Sequence, residues 1–119
     1  MERTIQEKMN QAEETYYRNR RYLERLGDDI TSEKHHFLRQ IDQLAQQTQR
    51  NTKKVEVEGG PELSTVYRVL EQAKNDGQQA IRQSLFQLEE KLEENRQMYK
   101  KKMNTYEEEW QVLRRKENQ

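Results

Sequence analysis

Glu56-Val57-Glu58-Gly59-Gly60-Pro61-Glu62-Leu63 decides this fold, because Gly59-Gly60-Pro61 is the one clear interruption of a helical pattern that otherwise runs the length of the chain. Glycine accepts the left-handed backbone angles that follow a helix end, and proline suits the first turn of the next helix. Before the break, apolar residues recur every three or four positions: Ile5, Met9, Ala12, Tyr16, Leu23, Leu26, Ile30, Phe37, Ile41, Leu44. After it come Leu63, Val66, Leu70, Ala73, Ile81, Leu85, Leu88, Leu92, Tyr99, Met103, Tyr106, Trp110 and Leu113. Such spacing puts one narrow apolar stripe on each of two long helices, as in a coiled-coil seam. The expectation is helix one over about 2–56, a turn over about 57–61 and helix two over about 61–116. Thr52-Lys53-Lys54-Val55-Glu56-Val57 is where helix one frays. Gly27-Asp28-Asp29 reads as continuous helix, since Leu26 and Ile30 keep the beat across it. Gly77, after Asn75-Asp76, poses the same question.

The chain has 119 residues, 30% hydrophobic and 37% charged, where globular chains run at roughly 45–50% and about 25%. One domain, 1–119, is expected, yet so little apolar material cannot fill a compact globule. It can line a two-helix seam. Disorder has a similar composition, but sustained periodicity and a single proline oppose it. Twenty-two basic residues balance 22 acidic ones, which argues against a dedicated nucleic-acid binder. There is no cysteine, hence no disulfide framework. No long uncharged apolar run offers a membrane span or a cleavable secretory signal. These features point to the cytoplasm, or to export by a route that leaves no cleavable leader.

An antiparallel hairpin brings residue numbers summing to about 118 or 119 face to face, in arms ~80 Å long. In that register a slip of the beat between Phe37 and Ile41 matches one around Gly77 and Ile81, a paired stutter. Trp110 falls opposite Met9, and Leu92 beside Leu26. Arg18, Arg20 and Arg21 share a level with Lys100 to Lys102, and Glu13 and Glu14 with Glu107 to Glu109. The open end then carries a basic belt beside an acidic one.

A two-helix seam offers no concave, water-excluding site, so neither enzyme activity nor a cofactor is expected. His35 and His36 point about 100° apart on a helix and cannot grip one metal together. Arg18 to Arg25 with Tyr16, Tyr17 and Tyr22 interleaved, or Lys100 to Lys102, can track a phosphate backbone, but the neighbouring glutamates repel it. More informative is apolar material off the main stripe: Leu38, Ala45, Val69, Ala73 and Ala80, with Tyr67 and Phe86 in the same half. In the expected register Leu38 meets Ala80 and Ala45 meets Ala73. These seven residues are the candidate surface for a partner helix or a second copy; the alternative is that they broaden the hairpin seam.

The second arm carries Tyr67-Arg68-Val69-Leu70, Phe86-Gln87-Leu88-Glu89-Glu90-Lys91-Leu92 and Tyr106-Glu107-Glu108-Glu109-Trp110-Gln111-Val112-Leu113-Arg114-Arg115-Lys116. Over this C-terminal half the chain resembles the LXG-associated small helical proteins of Gram-positive type VII secretion, relatives in architecture of the WXG-type hairpins. The resemblance implies a factor that binds the helical N-terminal domain of an LXG toxin, beside a second small helical protein, and makes it competent for export. Gly59-Gly60-Pro61 stands where WXG proteins carry Trp-x-Gly, which fits an adaptor better than a secreted WXG protein. Tyr67…Glu71 and Phe86…Glu90 match the family's aromatic-x-x-x-acid export spacing, inside helix two. Two other classes stay open: a self-associating coiled-coil structural or adaptor protein (phage, plasmid or cytoskeletal accessory), and a helical nucleic-acid-binding regulator.

Overall fold

The computed structural model describes the backbone of residues 2–54 and 60–118, and the side chains of residues 4–51 and 64–118. The fold is all-α, an antiparallel hairpin of α1 (Glu2–Lys54) and α2 (Gly60–Glu117). α1 is described as far as Lys54 and α2 from Gly60, so Pro61 occupies the first described turn of α2, where its missing amide costs nothing. Val55, Val57 and most of the expected turn lie outside the described residues. Gly27 and Gly77 are helical, and no glycine among the described residues has a positive φ. Helix one therefore runs through Gly27, as the beat across it predicts. At the other end, Arg114, Arg115 and Lys116 fill the last turn of α2, where cations complement the negative end of the helix dipole.

The chain divides into two compact units: a terminal unit, Met1–Leu26 with Gln87–Gln119, and a bend unit, Gly27–Phe86. Among the described residues the buried apolar side chains are Ile5, Ala12, Leu23 and Leu88, and none is less than 2% exposed. All four belong to the terminal unit. The bend unit packs along Ile30, Phe37, Ile41, Leu70, Ile81 and Leu85, every one of them only half-buried. Full burial of one such side chain contributes ~1.5–3 kcal/mol. Among its described residues the bend unit thus has no seam side chain that reaches the burial of Ile5, Leu23 or Leu88 in the terminal unit.

The register differs from the expectation by about one turn. In the terminal unit the rings of Tyr16 and Tyr99 stack with centroids 4.5 Å apart, and Asn19 donates to Asn95 at 3.4 Å. In the bend unit Phe37 lies against Gly77. The numbers in these pairs sum to 114 or 115, not 118 or 119. The physical reason is where the chain folds back. The expectation centred the bend on the two glycines, whereas the described ends of the helices, Lys54 and Gly60, themselves sum to 114. Leu26 and Leu92 are therefore not opposite each other, and neither are Met9 and Trp110, or Ile41 and Gly77.

The paired stutter also dissolves. Four series of residues 18 apart share their burial: Ile5, Leu23 and Ile41; Ala12, Ile30 and Thr48; Leu70, Leu88 and Tyr106; Tyr67, Leu85 and Met103 are all buried or half-buried. Eighteen residues are five turns at about 3.6 residues each. A heptad repeat drifts by ~20° every seven residues and demands a left-handed supercoil; this repeat does not drift. Ile30, Ile41 and Thr48 keep to this pattern on both sides of the slip near Phe37.

Candidate partner surface

A polar layer interrupts the seam of the terminal unit. Asn95 sits half-buried between Leu92 and Tyr99, and its amide donates to the backbone carbonyl of Tyr16 at 3.1 Å. Its oxygen accepts from Asn19. A polar residue at one seam position fixes register, because sliding strips its partners. The Tyr99 phenol, against Tyr16, is pushed above its usual range, first by burial and then by the Glu13 carboxylate. The apolar beats of both helices skip here, from Tyr16 to Leu23 and from Leu92 to Tyr99. That shared gap was the sequence's sign of the layer.

The observed register also rearranges the charges. Lys100 to Lys102 come level with Glu13 and Glu14, not with arginines. Arg20 and Glu24 line one groove with Glu89, Glu93 and Arg96, and Lys8 lines another with Glu108 and Glu109. The expected level of arginines with Lys100 to Lys102 is thus replaced by glutamates level with those lysines, while Arg20 with Arg96, and Glu24 with Glu89 and Glu93, still share a groove. The ion pairs within 4.0 Å among the described residues are intrahelical, Arg20–Glu24 at 2.8 Å and Glu93–Arg96 at 2.7 Å. All four side chains are at least half exposed, and such pairs contribute little alone. Arg96 and Gln97 nevertheless hold the Glu93 carboxyl down to about 2.

In the bend unit the key contact is a ring in a notch. A Cβ on Gly77 would lie 2.9 Å from Cε2 of Phe37, and closer still to Cε1 and Cζ. Only glycine leaves room for that ring. The contact also tells the two sides of the seam apart. Leu44, seven residues after Phe37, shares its side of α1. Ala73 and Ala80, four before and three after Gly77, share that side of α2, as does Val69. Leu38 and Gln78 each follow the contact by one residue, about 100° round the helix. Both emerge on the opposite side.

The seven candidate residues therefore split between two faces. Val69, Ala73 and Ala80 are exposed on the Gly77 side, together with Leu44, which is 47% exposed. Leu38, Ala45 and Tyr67 are half-buried at the edge of the seam on the other side. Phe86, 60% exposed, lies about 120° around α2 from Ala80. The expected pairing of Leu38 with Ala80, and of Ala45 with Ala73, does not occur. Leu38 is level with Asp76 and Gly77, and Ala45 with Val69 and Leu70. Charge is sparse along two stretches: Asp42 alone is charged between Gln40 and Gln49, and Arg82 alone between Gln78 and Gln87. Depletion of charge marks the core of protein interfaces.

Among the described residues no three His, Asp or Glu side chains are grouped to hold a metal ion, and no helix is long and apolar enough to cross a membrane. No protein family, no curated protein and no solved structure matches the chain.

Proposed function

We infer that the chain is a non-enzymatic helical adaptor whose bend unit is completed by a helix of another protein. One observation carries this reading: every buried apolar side chain among the described residues lies in the terminal unit, while the bend unit exposes Leu44, Val66, Val69 and Phe86 and has no buried apolar side chain to set against them; the terminal unit exposes Tyr17, Tyr22, Met98, Trp110 and Val112 beside a buried core. A helix laid along Leu44, Val69, Ala73 and Ala80 removes that surface from water. The alanines let its backbone approach closely, and few charges need desolvation. The resemblance described above narrows the partner to the helical N-terminal domain of an LXG toxin, beside a second small helical protein. The adaptor would assemble with it in the cytoplasm and render it competent for type VII export. Alternating charge on both helices leaves no broad basic face, which favours a protein partner over nucleic acid.

The test is co-expression of this chain with the helical domain of an LXG toxin encoded beside it. Co-elution at a fixed ratio is the expected result. Ala73→Glu should keep the helical content yet abolish co-elution, because it places a charge in the contact. Separate elution of the wild-type proteins removes the toxin as partner, and co-elution of the variant removes the Ala73 flank.

A further inference from the structure

The opposite face of the bend unit has an order of its own. Along α2, Tyr67, Glu71, Asn75, Gln78, Arg82 and Phe86 follow one another by three or four residues and so share one side of the helix. From either end the stripe reads aromatic, charge, amide, amide, charge, aromatic, and the two charges are opposite in sign. Its midpoint falls between Asp76 and Gly77. On α1, Leu38 stands between His35 and Asp42, and the three line one shallow groove with Arg39.

We propose that this face pairs with the same face of a second copy, antiparallel, about a two-fold axis passing between Leu38 and Gly77. About that axis Tyr67 meets Phe86 of the other copy, Glu71 meets Arg82, Asn75 meets Gln78, and Leu38 meets itself. Each contact occurs twice, as an isologous interface requires. Two independent centres must coincide for this to work. Leu38 on α1 is level with Asp76 and Gly77 on α2, because Phe37 packs on Gly77, so they do. Both stripes also emerge on the same side of the seam, beside Leu38 and Gln78. The pairing covers Phe86, which a single copy leaves 60% exposed. It also employs Glu71 and Arg82, which make no ion pair among the described residues. It leaves the Leu44–Ala73–Ala80 flank open, so it holds whatever helix that flank takes.

Sedimentation equilibrium of the full chain at micromolar concentration tests this, with twice the 14.6 kDa chain mass expected. Arg82→Glu and Glu71→Arg each set like charges together twice, and should each weaken the dimer by more than about tenfold. The double reversal Glu71→Arg with Arg82→Glu should restore it. The two residues are too far apart along α2 to pair within one chain, so rescue can only act between copies; circular dichroism confirms that the variants stay helical. Leu38→Cys introduces the sole thiol and should give a disulfide-linked dimer under mild oxidation. A wild-type monomer, a dimer indifferent to both single reversals, a double reversal no better than either, or a dimer that Leu38→Cys fails to cross-link overturns the proposal. Failure of toxin binding in a chain that still dimerises sinks the adaptor reading and leaves this one standing.

Discussion

Replacing Gly77 by alanine is the most discriminating perturbation of the hairpin, because two known effects oppose each other there. Alanine in a helix interior is favoured over glycine by ~1 kcal/mol. Against this, the new methyl would occupy space held by Cε1, Cε2 and Cζ of Phe37, and overpacking costs typically ~1–3 kcal/mol. The ring must swing out of its notch, so Gly77→Ala should destabilise the wild type by about 1 kcal/mol, the overpacking term exceeding the propensity gain. Phe37→Leu removes all three clashing atoms while keeping the first carbons of the side chain. In that background the same Gly77→Ala should stabilise by ~1 kcal/mol, since only the propensity gain remains. The four proteins form a double-mutant cycle with a coupling of about 2 kcal/mol, well above the ~0.5 kcal/mol typical of independent sites. Urea unfolding followed by circular dichroism supplies each stability. If Gly77→Ala stabilises both backgrounds equally, the ring does not sit in the notch and the observed register loses its anchor in the bend unit.

Other outcomes are equally open to measurement. Asn95→Asp cannot donate to the Tyr16 carbonyl and turns a carboxylate toward it; a loss of about 1–3 kcal/mol is expected in thermal melts, and an unchanged midpoint would remove any stabilising role for the polar layer. Leu88→Asp should cost more than Leu92→Asp, since Leu88 is buried and Leu92 only half-buried; the reverse order in denaturant titrations would refute the observed seam. Glu93→Gln should lower the melting temperature at neutral pH. The Glu93 carboxyl is depressed on folding, so its contribution is present above the ordinary carboxylate range and lost as pH falls toward about 2. The gap between the two proteins should close over that interval, and a gap that persists in strong acid would deny the Arg96 contact.

The two helices and their break were legible because apolar spacing and Gly59-Gly60-Pro61 each have one reading in helical terms. Register was not, and the reason is specific. An apolar stripe with steps of three and four matches itself almost as well after a shift of one turn, so Leu26 could be set beside Leu92 without visible conflict. What separates the two alignments is polar: Asn19 and Asn95 in matching gaps, and lysines set against glutamates in place of arginines. The apolar residues off the main stripe were partly legible. Their types and their half of the chain could be picked out, but sorting them into two faces needed the Phe37–Gly77 contact, which no periodicity reveals.

The five-turn periodicity of burial makes length a free variable of this architecture. Excising one such block from each arm, at matched heights, would return every remaining inward residue to its old bearing, whereas removing a heptad would swing the survivors outward by roughly 20°. Shorter or longer versions of the hairpin are thus reachable by whole blocks, with the chemistry of either end untouched.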